Sequence, residues 1–231
     1  MIKNIFYSLL TLSVLLQCGS PKAPKEAVSV EQETISETEK VASRPYILFF
    51  GNSITAGYQL DISDAFPALI QNKLDSLGYT YQVINAGLSG ETTAGGLNRI
   101  DWVLKTVPDI FVLELGANDG LRGLDLKETE KNLIAIIDKV KKENPEVKIL
   151  LAGMRVPPNL GISYVREFAN VFPKVVDATG ASLIPFLLEG VAGDPTLNLD
   201  DGIHPTEKGH KILSQTVWEK LKPLLEENKN L

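Results

Sequence analysis

Histidine and cysteine are scarce in this chain of 231 residues, which has two of the first, His204 and His210, and one of the second, Cys18. A lone cysteine excludes a disulfide framework within the chain, and so few soft ligands leave no set for a zinc cluster. Cations are in the minority: 23 Lys+Arg stand against 29 Asp+Glu, a net charge of −6. Clustered Lys and Arg, the electrostatic footprint of a nucleic-acid binder, are therefore lacking. No apolar run is long enough for a helix that spans a bilayer and stays there. What is present is ordinary for a globular protein, with 44% hydrophobic and 23% charged residues.

The start of the chain reads as an address. Lys3 precedes a short apolar run over 5–16, followed by Gln17-Cys18-Gly19-Ser20, the pattern of a secretory signal peptide. The only cysteine sits at the end of that run. The segment resembles a bacterial lipoprotein signal, which implies cleavage before Cys18 and lipid attached to it; Gln17 stands where that pattern usually has Gly, Ala or Ser. Plain secretion and a buried lone cysteine are the other readings. Residues 1–17 are thus expected to be a signal peptide, and 18–44 a lipid-anchored tether in the bacterial cell envelope. Residues 19–44 are rich in Glu, Ser, Thr, Lys and Ala and carry no strand or helix period, a composition that buries too little to order itself.

Residues 45–231 are enough for one core. Apolar stretches of strand length recur at 46–50, 81–85, 110–115, 147–152 and 181–185. Helix-period segments lie between them. In 127–143, Leu133, Ile136, Ile137 and Val140 share a face, and Pro145 stops the run. Another covers 65–77 and ends at Gly78, and the last, 206–226, aligns Leu213, Val217, Leu221 and Leu224. Apolar strands alternating with helices predict an α/β fold with a parallel sheet covered on both faces. In such sheets, sites form at the carboxyl ends of the strands.

The loops at those ends carry the polar chemistry. Gly51-Asn52-Ser53-Ile54-Thr55 follows the first strand, where Ser53 is either an exposed nucleophile or a helix N-cap. It is neither the Gly-x-Ser-x-Gly elbow nor a phosphate loop. Gly87 and Gly90, after the second strand, allow close backbone approach to a ligand or serve as plain turn residues. Asn118, after the third, can offer an amide N–H to a developing oxyanion or shape an Asx-turn. Asp201 lies three residues before His204, a spacing that lets one turn supply a base and its orienting carboxylate. The alternative is a surface ion pair. His210, inside the last helical segment, is expected to be a face residue.

Taken in order, the four blocks resemble those of the GDSL or SGNH hydrolase superfamily. They are Gly51-Asn52-Ser53-Ile54-Thr55, the glycine of Leu88-Ser89-Gly90-Glu91-Thr92, Gly116-Ala117-Asn118-Asp119, and Asp201-Gly202-Ile203-His204-Pro205. The likeness extends over 46–225 and is greatest to the thioesterase I / lysophospholipase L1 / arylesterase branch, through 114–123 and 200–205. Asn52 stands where the family's name motif has Asp.

The resemblance implies a three-layer α/β/α sandwich with a five-stranded parallel sheet, flavodoxin-like in topology. It implies a serine esterase acting on a small-molecule or lipid ester. Ser53 is then the nucleophile, His204 the base, Asp201 its partner, and the oxyanion hole is formed by Ser53, Gly90 and Asn118. No cofactor, metal or obligatory protein partner is implied. The 156–161 loop, with Val156, Pro157 and Asn159, is expected to line the acyl crevice; a rigid Pro-rich connection is its plainer reading. Tyr58, Leu60 and Phe186 read equally well as core. Two other functions fit the same sequence: a carbohydrate esterase that deacetylates glycans, and a surface lipoprotein that binds glycan or lipid without catalysis.

Overall fold

The computed structural model describes residues 44–225, which fall within one compact unit. The expectations placed on residues 1–43, Cys18 among them, lie outside the described residues. Five strands are found: β1 (Tyr46–Gly51), β2 (Gln82–Gly87), β3 (Ile110–Glu114), β4 (Lys148–Ala152) and β5 (Ser182–Ile184). They form one wholly parallel sheet in the order β2-β1-β3-β4-β5. Every residue of β1 and β3 is buried, which is why their sequences are unbroken apolar runs rather than alternating ones.

The chain steps from β1 to β2 on one side, then crosses back to β3 on the other. Right-handed crossovers then fix which face each helix covers. Two short helices, α1 (Ser53–Ala56) and α4 (Ala117–Leu121), follow β1 and β3 at the carboxyl edge of the sheet. One face receives α2 (Phe66–Ser76) and, at the end of the chain, α7 (Glu207–Leu221), which pack on each other. The other receives α3 (Thr93–Val103), α5 (Leu126–Glu143) and α6 (Ile162–Thr179), with α5 packed against both its neighbours. The result is the expected three-layer sandwich, and the reversal at β1 makes its carboxyl end the place for a site.

The elements differ from the sequence reading in instructive ways. The second strand is an edge strand whose Gln82 and Ile84 face solvent, so it is not covered on both sides. The last helix ends at Leu221, because Pro223 breaks the α-pattern and a 3₁₀ turn (Lys222–Leu224) follows. Neither α3 nor α6 follows from the periodicity of the sequence. Gly95 and Gly96 make α3 a poor helix by propensity. Yet a Cβ at Gly96 would meet Leu115 at 2.4 Å and Phe50 at 3.1 Å, so the glycine is what lets α3 press onto the sheet. In α6, Pro173 sits inside the helix and hides an amphipathic pattern that buries Phe168, Val171, Phe172 and Val175.

His210 corrects the expectation of a face residue. It is 1% exposed. Its Nδ1 accepts the Phe66 N–H at 3.0 Å, which ties α7 to the start of α2. Burial first, and then the charge of His204, pushes its pKa down to about 4. Between that value and its ordinary 6.5 the unfolded chain binds the proton that the folded one refuses. Stability from this group is therefore full above pH 6.5 and is lost as the pH falls towards 4. The stability advantage of the wild type over His210→Asn should shrink by up to about 3 kcal/mol between about pH 7 and about pH 4. Urea unfolding at both pH values measures this, and a difference independent of pH would contradict it.

Candidate active site

Directly after β1, Asn52 caps the short helix α1, its Oδ1 accepting the Ile54 N–H at 3.0 Å. The cap is thus Asn52, and Ser53 is the first helical residue with its hydroxyl turned to another task. Ser53 Oγ lies 2.8 Å from His204 Nε2, and His204 Nδ1 lies 2.7 Å from Asp201 Oδ2. A carboxylate can only accept, so Nδ1 carries the imidazole proton and the Nε2 lone pair faces the serine hydroxyl. Residues from the two ends of the domain are brought into one hydrogen-bonded line.

The loop that presents His204 is built to hold it. Leu199 N–H donates to His204 O at 2.7 Å and Thr206 N–H to Leu197 O at 2.8 Å, closing a narrow turn. Asp201 Oδ1 accepts the N–H groups of Ile203 and His204, both at 3.0 Å. Partial desolvation raises the Asp201 pKa, but these backbone bonds and the imidazole outweigh it and bring it down to about 2. Asp201 is thus ionised at neutral pH. The Tyr58 ring packs on the imidazole with centroids 4.4 Å apart, so Tyr58 belongs to the site and not to the core.

The loops after β2 and β3 are tied together. Asn118 Nδ2 donates to Glu91 O at 3.0 Å, and an Arg122 guanidinium N–H donates to Gly90 O, also at 3.0 Å. Gly90 has φ +80°. Asp119 caps the start of α3 through the Thr93 N–H at 2.9 Å and the Thr93 hydroxyl at 2.5 Å. Glu91 accepts two bonds from Arg99, at 2.7 and 2.6 Å. Gly87 has a different part from Gly90: a Cβ there would meet the Ala56 backbone nitrogen at 2.3 Å, so it lets the Ser53 turn lie against β2.

Beside Ser53 opens a cleft of about 530 Å³, lined by Asn52, Ser53, Asn118 and His204 on one side. Largely apolar residues line the rest, among them Leu121, Met154, Val156 and Phe186. Val156 and Pro157 line it, whereas Asn159 is exposed and lies outside the lining. The Pro-rich segment turns Asn159 outward in a 3₁₀ turn, Pro158–Leu160. Phe186 faces the cleft, under the Arg155 guanidinium at 4.5 Å.

A serine, an imidazole and a carboxylate in line beside an apolar cleft at the switch point of a parallel sheet suit acyl transfer. The model of the GDSL-like Lipase/Acylhydrolase family matches residues 49–212. The chain belongs to this family. Esterase TesA of Pseudomonas aeruginosa is 41% identical over 189 residues, covering 81% of this chain and 92% of that protein. Thioesterase 1/protease 1/lysophospholipase L1 of Escherichia coli is 37% identical, over 81% of this chain and 88% of its own. Among solved structures, the psychrotrophic esterase EstA from Pseudoalteromonas sp. superposes with a TM-score of 0.73 at 32% identity, covering 77% of this chain and 97% of that one. This GDSL-family chain is a serine ester hydrolase.

Among the described residues no group of three or more His, Cys, Asp and Glu is placed to hold a metal ion, and no helix is long and apolar enough to cross a membrane. Glu91, Glu114 and Asp119, the carboxylates that brace the loops, carry no such role in the sequence pattern. Glu114 is 1% exposed. Burial pushes its pKa up to about 7 against the opposing bonds from Thr55 and Asn52. A polar residue ending an apolar strand was the available signal. Asp119→Ala would leave the buried Thr93 N–H without an acceptor and should cost about 2–3 kcal/mol in urea unfolding. Unchanged stability would show that this tie does not hold the two loops.

Proposed function

We propose that the chain cleaves esters of apolar acyl chains through an acyl-serine on Ser53. His204 carries the proton and Asp201 orients it. The observation that supports this reading is the line Asp201 Oδ2–His204 Nδ1 and Nε2–Ser53 Oγ, at 2.7 and 2.8 Å, opening onto an apolar cleft. A serine hydroxyl is a weak nucleophile until a base takes its proton. As Oγ bonds to the ester carbonyl carbon, its proton passes to His204 Nε2 and the carbonyl electrons move onto oxygen. The ionised Asp201 stabilises the imidazolium. Collapse of the oxyanion expels the alkoxide, which leaves with the proton from Nε2. Water then gives a proton to Nε2, attacks the acyl carbon and frees the acid, and Ser53 Oγ recovers its proton. No step calls for a metal or cofactor.

Three donors suit the oxyanion: the N–H groups of Ser53 and Gly90 and the second N–H of Asn118 Nδ2. Neither backbone N–H donates to another group of the protein among the described residues, and Asn118 uses one of its two N–H bonds on Glu91 O. Fixed donors of this kind are each worth about 2.7–4 kcal/mol in the transition state. The apolar lining past Ser53 favours an acyl chain over a sugar, and an acyl group is what esters, thioesters and lysophospholipids share. The EstA structure is inhibited by monoethylphosphonate, whose phosphorus has the tetrahedral geometry of the ester-hydrolysis intermediate.

Ser53→Ala should abolish hydrolysis of short p-nitrophenyl esters while the protein stays folded. A fluorophosphonate probe should label Ser53 in the wild type and not in His204→Ala. Turnover retained without the hydroxyl would reject the assignment.

We also propose a domain order of signal peptide 1–17, tether 18–44 and hydrolase domain 45–231, with the enzyme held in the bacterial cell envelope through lipid on Cys18. Mass spectrometry of the mature N-terminus should find acylated Cys18. An unmodified terminus elsewhere would remove the anchor and leave the enzyme as it is.

A further inference from the structure

One buried carboxylate takes no part in the chemistry proposed above, yet it lies directly under the serine. Glu114 ends β3, and its side chain reaches beneath the turn that carries Ser53. Its Oε2 accepts the Asn52 N–H at 3.1 Å, the Thr55 N–H at 3.3 Å and the Thr55 hydroxyl at 2.8 Å. Its Oε1 accepts the Asn52 side-chain amide at 2.7 Å. All four donors belong to Asn52 and Thr55, on either side of Ser53. Neither oxygen takes part in an ion pair among the described residues. Such a group is costly to bury, and here the cost is offset only by the four donors that the serine turn directs at it.

What the carboxylate does is read from Asn52. An amide has a donor end and an acceptor end, and either can be turned to a given neighbour. Here the donor end is committed to Glu114 at 2.7 Å. The acceptor end therefore points the other way, where Oδ1 takes the Ile54 N–H at 3.0 Å and lies 3.4 Å from Ser53 Oγ. Were the amide reversed, its NH₂ would face the Ile54 N–H and the serine hydroxyl. Glu114 thereby sets the polarity of the groups around Ser53 and pins the backbone on both sides of it.

We infer that Glu114 is the positioning residue for Ser53, acting through the Asn52 amide and the Thr55 hydroxyl to hold the serine Oγ in line with His204. The inference rests on Ser53 being the nucleophile. Glu114 touches no substrate. It makes the turn rigid before substrate arrives, and misplacing a reacting atom by about 1 Å can cost about 100-fold in rate.

The donor and acceptor pattern supplies its own test. In Glu114→Gln the new NH₂ must face one of the donors of Asn52 and Thr55, and no orientation of the Asn52 amide relieves every clash. The reciprocal double variant, Asn52→Asp with Glu114→Gln, exchanges the two groups. The introduced amide then donates to the introduced carboxylate, whose other oxygen still accepts from Ile54. The oxygen of that amide still accepts the backbone N–H groups at positions 52 and 55 and the Thr55 hydroxyl. Both variants and the wild type are compared for kcat and KM on a short p-nitrophenyl ester, fluorophosphonate labelling rate and Tm. Glu114→Gln should lose about 10–100-fold in kcat and in labelling rate, with KM little changed and Tm lowered by up to about 10 °C through the buried clash. The double variant should recover kcat to within about 5-fold of the wild type. A Glu114→Gln enzyme within about 3-fold of wild-type kcat, or a folded double variant as slow as the single one, would overturn the inference. If Glu114→Gln does not fold, the double variant is read against the wild type alone: a kcat within about 5-fold supports the pairing, and a larger loss at unchanged KM overturns it. Absence of labelling at Ser53 in the wild type would instead remove the nucleophile assignment on which the inference stands.

Discussion

Gly51 pairs with Gly87 of β2 on one side and with Glu114 of β3 on the other, and this register decides what lies next to what. Three parallel strands end level, so their three following loops open side by side. Ser53, Gly90 and Asn118 each come from one of them. β1 and β3 are buried on both faces, so a slip of one residue would carry each side chain into the opposite layer, against helices it does not fit. The large apolar core therefore sets the position of a few polar atoms at its rim.

The rim is held by carboxylates that do no chemistry in the proposed mechanism. Asp119 ties the loop after β3 to the start of α3, Glu91 is clamped by Arg99, and Glu114 underlies the serine turn. Asp119 and Glu114 accept backbone N–H groups that would otherwise be stranded at the starts of helices, and Glu91 holds its loop through the Arg99 guanidinium. Their common effect is to fix loop backbone before any ligand is bound. Preorganisation of that kind is what an oxyanion site needs, because donors already in place cost no rearrangement during the reaction. Asp201 completes the pattern from the far end of the chain, with one oxygen holding the backbone of its own turn and the other holding the imidazole.

Much of this was legible in the residues. The unbroken apolar runs announced buried parallel strands, and four short blocks in order announced the family. Other features were not legible, for identifiable reasons. α3 was hidden by Gly95 and Gly96, whose value is close packing on Leu115 and Phe50, and α6 by Pro173. His210 looked like any helix residue, because only α2 packing across α7 buries it. Asn159 sat in the right loop but on its outer side, and periodicity carries no signal for a turn built on Pro157 and Pro158. Glu114 belonged to a recognised block, yet nothing in a linear string shows that its oxygens turn back to a loop 59 residues earlier.

By itself the sequence determined the alternation of strands and helices, the family, and the identity of the few polar residues able to do acyl chemistry. These follow from short-range pattern: the period of apolar residues, the stops at Pro and Gly, and motif spacing. Only the tertiary structure decided that Ser53 and His204, 151 residues apart, lie within a hydrogen bond, that Asn52 rather than Ser53 caps its helix, and that a buried carboxylate stands behind both. Those facts depend on strand register and crossover handedness, which are settled by burying the whole core at once and not by any local stretch of chain.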